Sequence, residues 1–407
     1  MPRIPLSRRR AALLLSAIFI ALASPAIAAD LPSVIKIGVL TDMSGSTADA
    51  AGQGSVVAAR LAAEDFGDRV AGSKIEVVGG NFQGKTDLAM SIARQWFDQE
   101  GADAVADLPF SQTALAISAL GQQKDRAVLI GSGTTSDLTG KACNAVTTQW
   151  TDDTYALANG TARAVTRAGK KTWFFLTTDY AFGTAMQRDA TQAVEAEGGT
   201  VVGAVRHPPF GSDLGAFISQ AMASKAQVVG LANVGSDTTN SIKEAASFGL
   251  TRNGQVLAGL LVFINDVHAL GLPVAQNLLI TSGYYWNQND ASRRFADRFR
   301  ARMGRPPSKS QAAVYASVVH WLKAVASTHS VSGEVTTRAM KAMPAEYLGQ
   351  QATIRPDGRV LYDLALYQVK TPAESHGPWD YYKQVATLSR DEAFRPIAES
   401  GCPADKR

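Results

Sequence analysis

Cysteine is almost absent from this 407-residue chain, which contains only Cys143 and Cys402. Neither they nor the five histidines, His207, His268, His320, His329 and His376, fall at zinc-ligand spacing, so no metal site is expected. His320, beside Trp321 on an apolar helical stretch, reads as a packed core residue. Beyond the first 28 residues there is no run of about 20 apolar residues, so no helical membrane span is expected. The chain has no G-x-S-x-G elbow and no H-E-x-x-H, and Gly52-Gln53-Gly54 lacks the third glycine of a dinucleotide fingerprint. No linker rich in Gly, Ser or Pro divides it, and its 46% hydrophobic content suits two globular units with real cores.

An excess of charge is missing too, once the N-terminus is set aside. Arg3 and Arg8 to Arg10 precede an apolar run from Ala11 to Ala23, and Ala26-Ile27-Ala28 offers small residues for cleavage, so residues 1–28 read as a secretory signal peptide. Ser7-Arg8-Arg9 hints at twin-arginine export. Ala12 and Leu13 follow where that signal has a stronger hydrophobic consensus, which favours general secretion. No cysteine lies near the cleavage site, so no lipid anchor is expected. Removing the segment takes four of the 40 Lys and Arg and none of the 36 Asp and Glu, leaving a formally neutral chain. No basic cluster suggests nucleic acid or an anionic membrane as partner. Export to an oxidising compartment makes a Cys143–Cys402 disulfide the expectation, with two unpaired thiols as the alternative.

What is present is a β-then-α alternation. Strands are expected at Val34 to Leu40, Lys74 to Val78, Ala104 to Ala106 and Ala127 to Ile130, with helices at Val56 to Phe66, Leu88 to Phe97 and Ala114 to Gly121. Thr147 to Asp153 reads as a polar crossing, after which helix Tyr155 to Arg167 and strand Thr172 to Leu176 restart the pattern. It continues through helices Thr184 to Glu197, Leu214 to Ala223 and Ile242 to Phe248, and strands Thr200 to Val205, Gln227 to Leu231, Gln255 to Ala258 and Asn277 to Thr281. The chain is expected to cross back at Ser282 to Trp286, before helices Ser292 to Arg302 and Gln311 to Ala326 and a hairpin of Gln351 to Thr353 with Val360 to Val369. Such alternation predicts an α/β fold of parallel sheets flanked by helices.

The stretch Ala104 to Leu120 organises the first half. Ser111 follows a strand and opens a helix, placing a hydroxyl and unpaired N–H groups where anions are attracted. Strand Ala127 to Ile130 opens into Gly131-Ser132-Gly133-Thr134-Thr135-Ser136, which would bring further donors alongside. Either both are ordinary helix caps or two adjacent strand ends face one ligand carboxylate, and their doubling favours the second. Asn233 to Thr239 repeats the device in the second half. Tyr180, Phe182 and Tyr284 to Trp286 stand at strand ends where they wall either a ligand body or a core. Gly79-Gly80-Asn81-Phe82-Gln83-Gly84-Lys85-Thr86 fits the P-loop pattern G-x-x-x-x-G-K-T and on its own predicts an ATPase. The export signal and the weak Walker B, Asp107, argue against that reading.

Taken in order, the signal segment, Lys36 to Gly45, the Ser111 loop, Ser132-Gly133-Thr134 and Asp179-Tyr180-Ala181-Phe182-Gly183 resemble the leucine/isoleucine/valine-binding family, type I periplasmic binding proteins of ABC importers. The resemblance covers essentially the whole chain after the signal. It implies two Rossmann-like lobes joined by three crossing segments: residues 34–149 plus 283–355, and 150–282 plus 356–400. It also implies a non-enzymatic, monomeric periplasmic receptor without cofactor, which closes on a small ligand and hands it to a permease. By position, Ser111 matches the family's carboxylate-binding Ser, Ser132 a backbone contact, Thr134 the Thr touching both ends of an amino acid's backbone, and Phe182 a ligand-facing Tyr. Gly235, Ser236 and Asp237 are implied as second-lobe contacts, and Tyr180 and Trp286 are expected beside the ligand body. Ala258-Gly259-Leu260-Leu261 departs from the family, which has there an acidic partner for an ammonium. An ammonium would then need Asp42, Asp179 or Asp237, whereas an aromatic or keto acid would need none. Amino acids, branched-chain ones above all, stay open beside aromatic and keto acids.

Overall fold

The computed structural model describes residues 1–2, 31–211 and 213–403; the signal segment lies outside these apart from its first two residues. Six strands, β1 (Val34–Thr41), β2 (Arg69–Val70), β3 (Ser73–Asn81), β4 (Ala102–Asp107), β5 (Ala127–Ile130) and β6 (Thr147–Gln149), form one sheet in the order β2-β3-β1-β4-β5-β6. All its pairings are parallel except β2 with β3. Ile35, Ile37, Val39 and Leu40 of β1 are fully buried, as a central strand covered on both faces requires. β6 corrects the sequence reading. Thr147, Thr148 and Gln149, expected in a crossing, are a buried edge strand; Ser118 Oγ bonds Thr147 Oγ1 at 2.8 Å and Trp150 Nε1 donates to Thr148 Oγ1 at 2.9 Å. Their hydroxyls, paired internally, hide a strand behind a polar pattern.

A second parallel sheet runs β10-β9-β7-β8, from β7 (Thr172–Thr178), β8 (Thr200–His207), β9 (Val228–Ala232) and β10 (Val256–Gly259). Three antiparallel strands, β11 (Leu279–Ser282), β15 (Leu364–Val369) and β16 (Tyr382–Leu388), lie beside it, with β11 against β10. β12 (Ala345–Tyr347), β13 (Gln350–Ile354) and β14 (Val360–Leu361) form a small sheet against helix Lys309–Thr328 of the first unit. The single strand expected at Val360 to Val369 is therefore two, which end in different sheets. The break is at Tyr362, fully buried, whose hydroxyl donates to Trp150 O at 2.7 Å.

The chain passes between the units near residues 150–153, 283–289 and 362–363. These passages share one buried network. Asp152, 1% exposed, pairs with Lys309 Nζ at 3.0 Å and accepts from Gly283 N and the Tyr362 hydroxyl. The tail adds a link of its own. Asn159 of helix Thr154–Arg167 donates to Glu392 O and Ala393 O, and Arg395 donates to Asp189 Oδ1 and Ser136 Oγ. Cys402 then joins Cys143 across 259 residues, as the sequence predicted.

Candidate ligand-binding site

A narrow cavity lies where the two units face each other, lined by Thr47, Ala50, Ala51, Pro109, Ser132, Thr134, Ser310, Tyr180, Phe182, Val234, Leu261 and Phe263. The first seven come from loops and helix starts of the six-stranded unit, the last five from the other. The units touch beside it: Gly235, at φ +63°, lies where an added Cβ would meet Ser46 O at 2.5 Å, and Phe110 meets Phe210 edge-on with ring centres 5.5 Å apart. Phe110 also neighbours Tyr180, whose ring neighbours Phe182, so aromatic contacts run continuously across the cleft.

On the first wall, Asp107 ends β4 with φ +84° and Leu108 follows at +64°, a left-handed turn costly for non-glycine residues. It carries the chain to Pro109 and into helix Ser111–Lys124. Ala114 N closes the first turn onto Phe110 O, so the N–H groups of Ser111, Gln112 and Thr113 precede the helical ladder, as expected for an anion-attracting end. Ser111 is 1% exposed but does not itself line the cavity. Both Ser132 donors point to Asp107: its N–H to the main-chain O at 3.1 Å and its hydroxyl to Oδ1. Burial pushes the Asp107 carboxyl up to about 6 against the pull of that hydroxyl, with Asp42 adding a little. Asp107 Oδ2 is buried without a hydrogen-bond partner.

The three carboxylates considered for an ammonium stand differently. Asp42 is fully buried and committed, accepting from Gly45 N at 2.8 Å and Thr47 Oγ1 at 3.1 Å, so it shapes the loop that brings Thr47 to the cavity. Asp179 is exposed and pairs with Arg206 at 3.2 Å; the turn after β7 aims it at solvent. Asp237 is buried, accepts Phe210 N at 3.0 Å through Oδ2, and is held above the usual carboxylate range by burial, while Oδ1 has no partner. None of the three lines the cavity, and neither do Gly235 and Ser236; Val234 represents their loop.

Trp286 lines a separate narrow cavity with Tyr284, Tyr285, Lys309 and Tyr382. Its Nε1 donates to Trp379 O at 2.8 Å and Arg300 lies over its ring, so it packs away from the first cavity. Phe263 walls both. Its N–H donates at 2.8 Å to Asp266 Oδ2, and burial pushes that carboxyl up to about 7. Thr47, Ala50, Ala51, Pro109, Ser310 and Phe263 were not singled out in the sequence. For Ser310 a signal existed: Ser308 to Gln311 is a capping box, which fixes a helix start at Lys309 and sets Ser310 in its first turn.

The P-loop match dissolves in three dimensions. Gly79 and Gly80 are strand residues of β3, where a Cβ on Gly80 would meet the Trp96 ring at 2.8 Å and one on Gly79 would meet Val56 at 2.9 Å. They are small for packing and cradle nothing, and Thr86 spends its hydroxyl on Thr113 at 2.9 Å. Among the described residues no cluster of His, Cys, Asp and Glu could hold a metal ion, and no helix is long and apolar enough to cross a membrane.

A family model for periplasmic binding proteins matches residues 34–376. A periplasmic binding protein from Burkholderia mallei is 45% identical, with a TM-score of 0.89 over 91% of this chain and 98% of that one. A branched chain amino acid ABC transporter periplasmic ligand-binding protein from Burkholderia xenovorans is 37% identical, with a TM-score of 0.82 over 91% of this chain and all of that one. Leu/Ile/Val-binding protein homolog 6 from Brucella melitensis is 27% identical over 74% of this chain and 77% of its own length.

Proposed function

The chain belongs to the periplasmic binding protein family, and from that premise we propose that it is the periplasmic receptor of an ABC importer, capturing a small carboxylate with an apolar, aromatic body and delivering it to the permease. One observation carries the ligand class: four short hydroxyl residues stand among Ala50, Ala51 and Pro109 on one wall of the cavity, rings and branched apolar side chains form the other, and no charged side chain lines it. Thr134 and Ser310, the latter in the first turn of helix Lys309–Thr328, suit a carboxylate held by neutral donors and a helix end. Tyr180, Phe182 and Phe263 suit a ring. Leu261 lines the cavity at the departure from the family's acidic position, which favours a ligand without an ammonium.

A branched-chain amino acid is the second reading, favoured by the likeness to the branched chain amino acid ABC transporter protein of Burkholderia xenovorans. Asp237 Oδ1, buried and unpartnered, is the oxygen that an ammonium would have to reach. In either case the protein acts as a soluble monomer without cofactor, its lobes comprise residues 34–149 with 283–361 and 150–282 with 362–400, the last boundary moving from 355 because β14 pairs within the first unit, and it closes by a hinge motion on ligand.

A thermal-shift screen over aromatic acids, 2-keto acids, amino acids and sugars tests the reading, since a ligand at 100 times its Kd adds about 2.7 kcal/mol. Aromatic carboxylates should give the largest shifts. A sugar as best ligand, or turnover of any bound compound, would overturn it.

A further inference from the structure

Ser132 lines the cavity, yet its one hydroxyl proton goes to Asp107 Oδ1. The Ser132 N–H is spent on the same residue. A serine whose donors are both taken offers a ligand only oxygen lone pairs. The acceptor holding that proton is fixed: Asp107 is fully buried, set at the strand end by a left-handed backbone, and its main-chain O holds Gly131 N and Ser132 N at 3.1 Å each. The groups facing its carboxyl are Thr41 and Asp42 from the end of β1, Ser55 from helix Gly52–Glu64 and Ser132 from the loop after β5. None is a cation, so hydroxyl protons are the stabilisation on offer, and Ser132 supplies the bond that is formed.

We infer that Ser132 meets the ligand as a hydrogen-bond acceptor, its proton held by Asp107, and that the ligand therefore carries an O–H or N–H donor besides its carboxylate. This rests on the carboxylate reading above and narrows it. A carboxylate cannot sit against Ser132, because two acceptors would face each other, nor against Thr47, whose proton is held by Asp42; it falls to Thr134 or Ser310, with the donor at the Ser132 end. Asp107 then acts as a positioning residue: it touches no ligand but sets the polarity of the side chain that does.

Two measurements test this. In the unliganded full chain, carboxyl carbon NMR of Asp107 should show its midpoint rising by about one unit in Ser132→Ala, since the hydroxyl that steadies the charged form is gone; an unmoved midpoint overturns the inference. Calorimetry then compares pairs differing in one donor: 4-hydroxybenzoate with 4-methoxybenzoate, and leucine with 4-methylpentanoate. The donor-bearing member of the bound pair should bind about tenfold tighter to the wild type, a preference shrinking to about twofold in Ser132→Ala. Asp107→Asn, which tolerates the left-handed backbone and pulls the proton less, should reduce it as well. Equal binding within a bound pair, or a preference that survives Ser132→Ala, overturns the inference and leaves the carboxylate reading standing. Binding by no probe overturns the carboxylate reading, while the titration still decides where the Ser132 proton lies.

Discussion

The two walls of the cavity are built from opposite materials on similar scaffolds. Each rises from the ends of parallel strands, and each is backed by one buried carboxyl held above its ordinary range by burial: Asp107, at about 6, behind Ser132, and Asp266, at about 7, behind Phe263. The first wall presents four short hydroxyl residues among Ala50, Ala51 and Pro109, on loops and helix starts; the second presents rings and branched side chains embedded in a core with Trp173, Phe175 and Met186. The difference teaches that direction and area are supplied separately. Hydroxyls orient a ligand at little cost in packing, whereas rings bury surface and take their positions from the lobe behind them.

Breaking the second wall should have the largest effect. Phe182 is 2% exposed and packs in that core, so Phe182→Ala should destabilise the protein by about 3–5 kcal/mol in denaturant unfolding, besides weakening any ligand. A loss under about 1 kcal/mol would mean that the ring serves the cavity alone.

The paired carboxyls come next. Each holds its proton to higher pH in the folded than in the unfolded chain, so the folded state binds more protons between about pH 4 and pH 7. Their contribution to stability is greatest at the acid end of that window and falls as pH rises through it. Asp107→Asn and Asp266→Asn should each gain on the wild type between pH 5 and pH 8, by about 1 kcal/mol at Asp107 and about 3 kcal/mol at Asp266, whose carboxyl stands higher, read as the difference in Tm. Parallel Tm curves would separate the walls' chemistry from these two groups.

Breaking the first wall should act on binding more than on folding. Thr134→Val keeps the volume and removes a hydroxyl that lines the cavity, and should weaken the best ligand by about 1.5–3 kcal/mol if it meets a charged oxygen. Ser111→Ala, set back from the lining and without a side-chain cap bond to lose at this helix start, should cost under about 1 kcal/mol in calorimetry. A larger loss for Ser111 than for Thr134 would move the carboxylate toward the helix. Lys85→Ala, exposed and belonging to neither wall, should leave affinity unchanged, and a loss there would revive the nucleotide reading.

Most strands were legible because parallel strands buried on both faces are continuous apolar runs, and β5 matched residue for residue. Ser111 at a helix start, Ser132, Thr134 and Phe182 were legible because strand ends and small-residue loops mark where a cleft opens. The rest of the site was hidden for two reasons. Thr47, Pro109, Ser310 and Phe263 approach only after folding, from segments far apart in sequence, and carry no shared pattern. Asp179 and Trp286 sat at the right ends of elements, but a turn aimed one at solvent and a partner, Trp379, drew the other into a different cavity. The hydroxyls of β6 and the switch of sheets at Tyr362 misled because alternation records burial and not the identity of the neighbouring strand.

The bond between Cys143 and Cys402 also sets an order in time. Cys402 is made 259 residues after its partner, about 13 to 50 s later at ordinary rates of synthesis, and the unit containing Cys143 is itself complete only once helix Lys309–Thr328 and β14 have been made, so that thiol waits for most of the chain. Since the sequence holds no third cysteine, the waiting thiol has no wrong partner within the chain, and maturation needs an oxidant but no reshuffling.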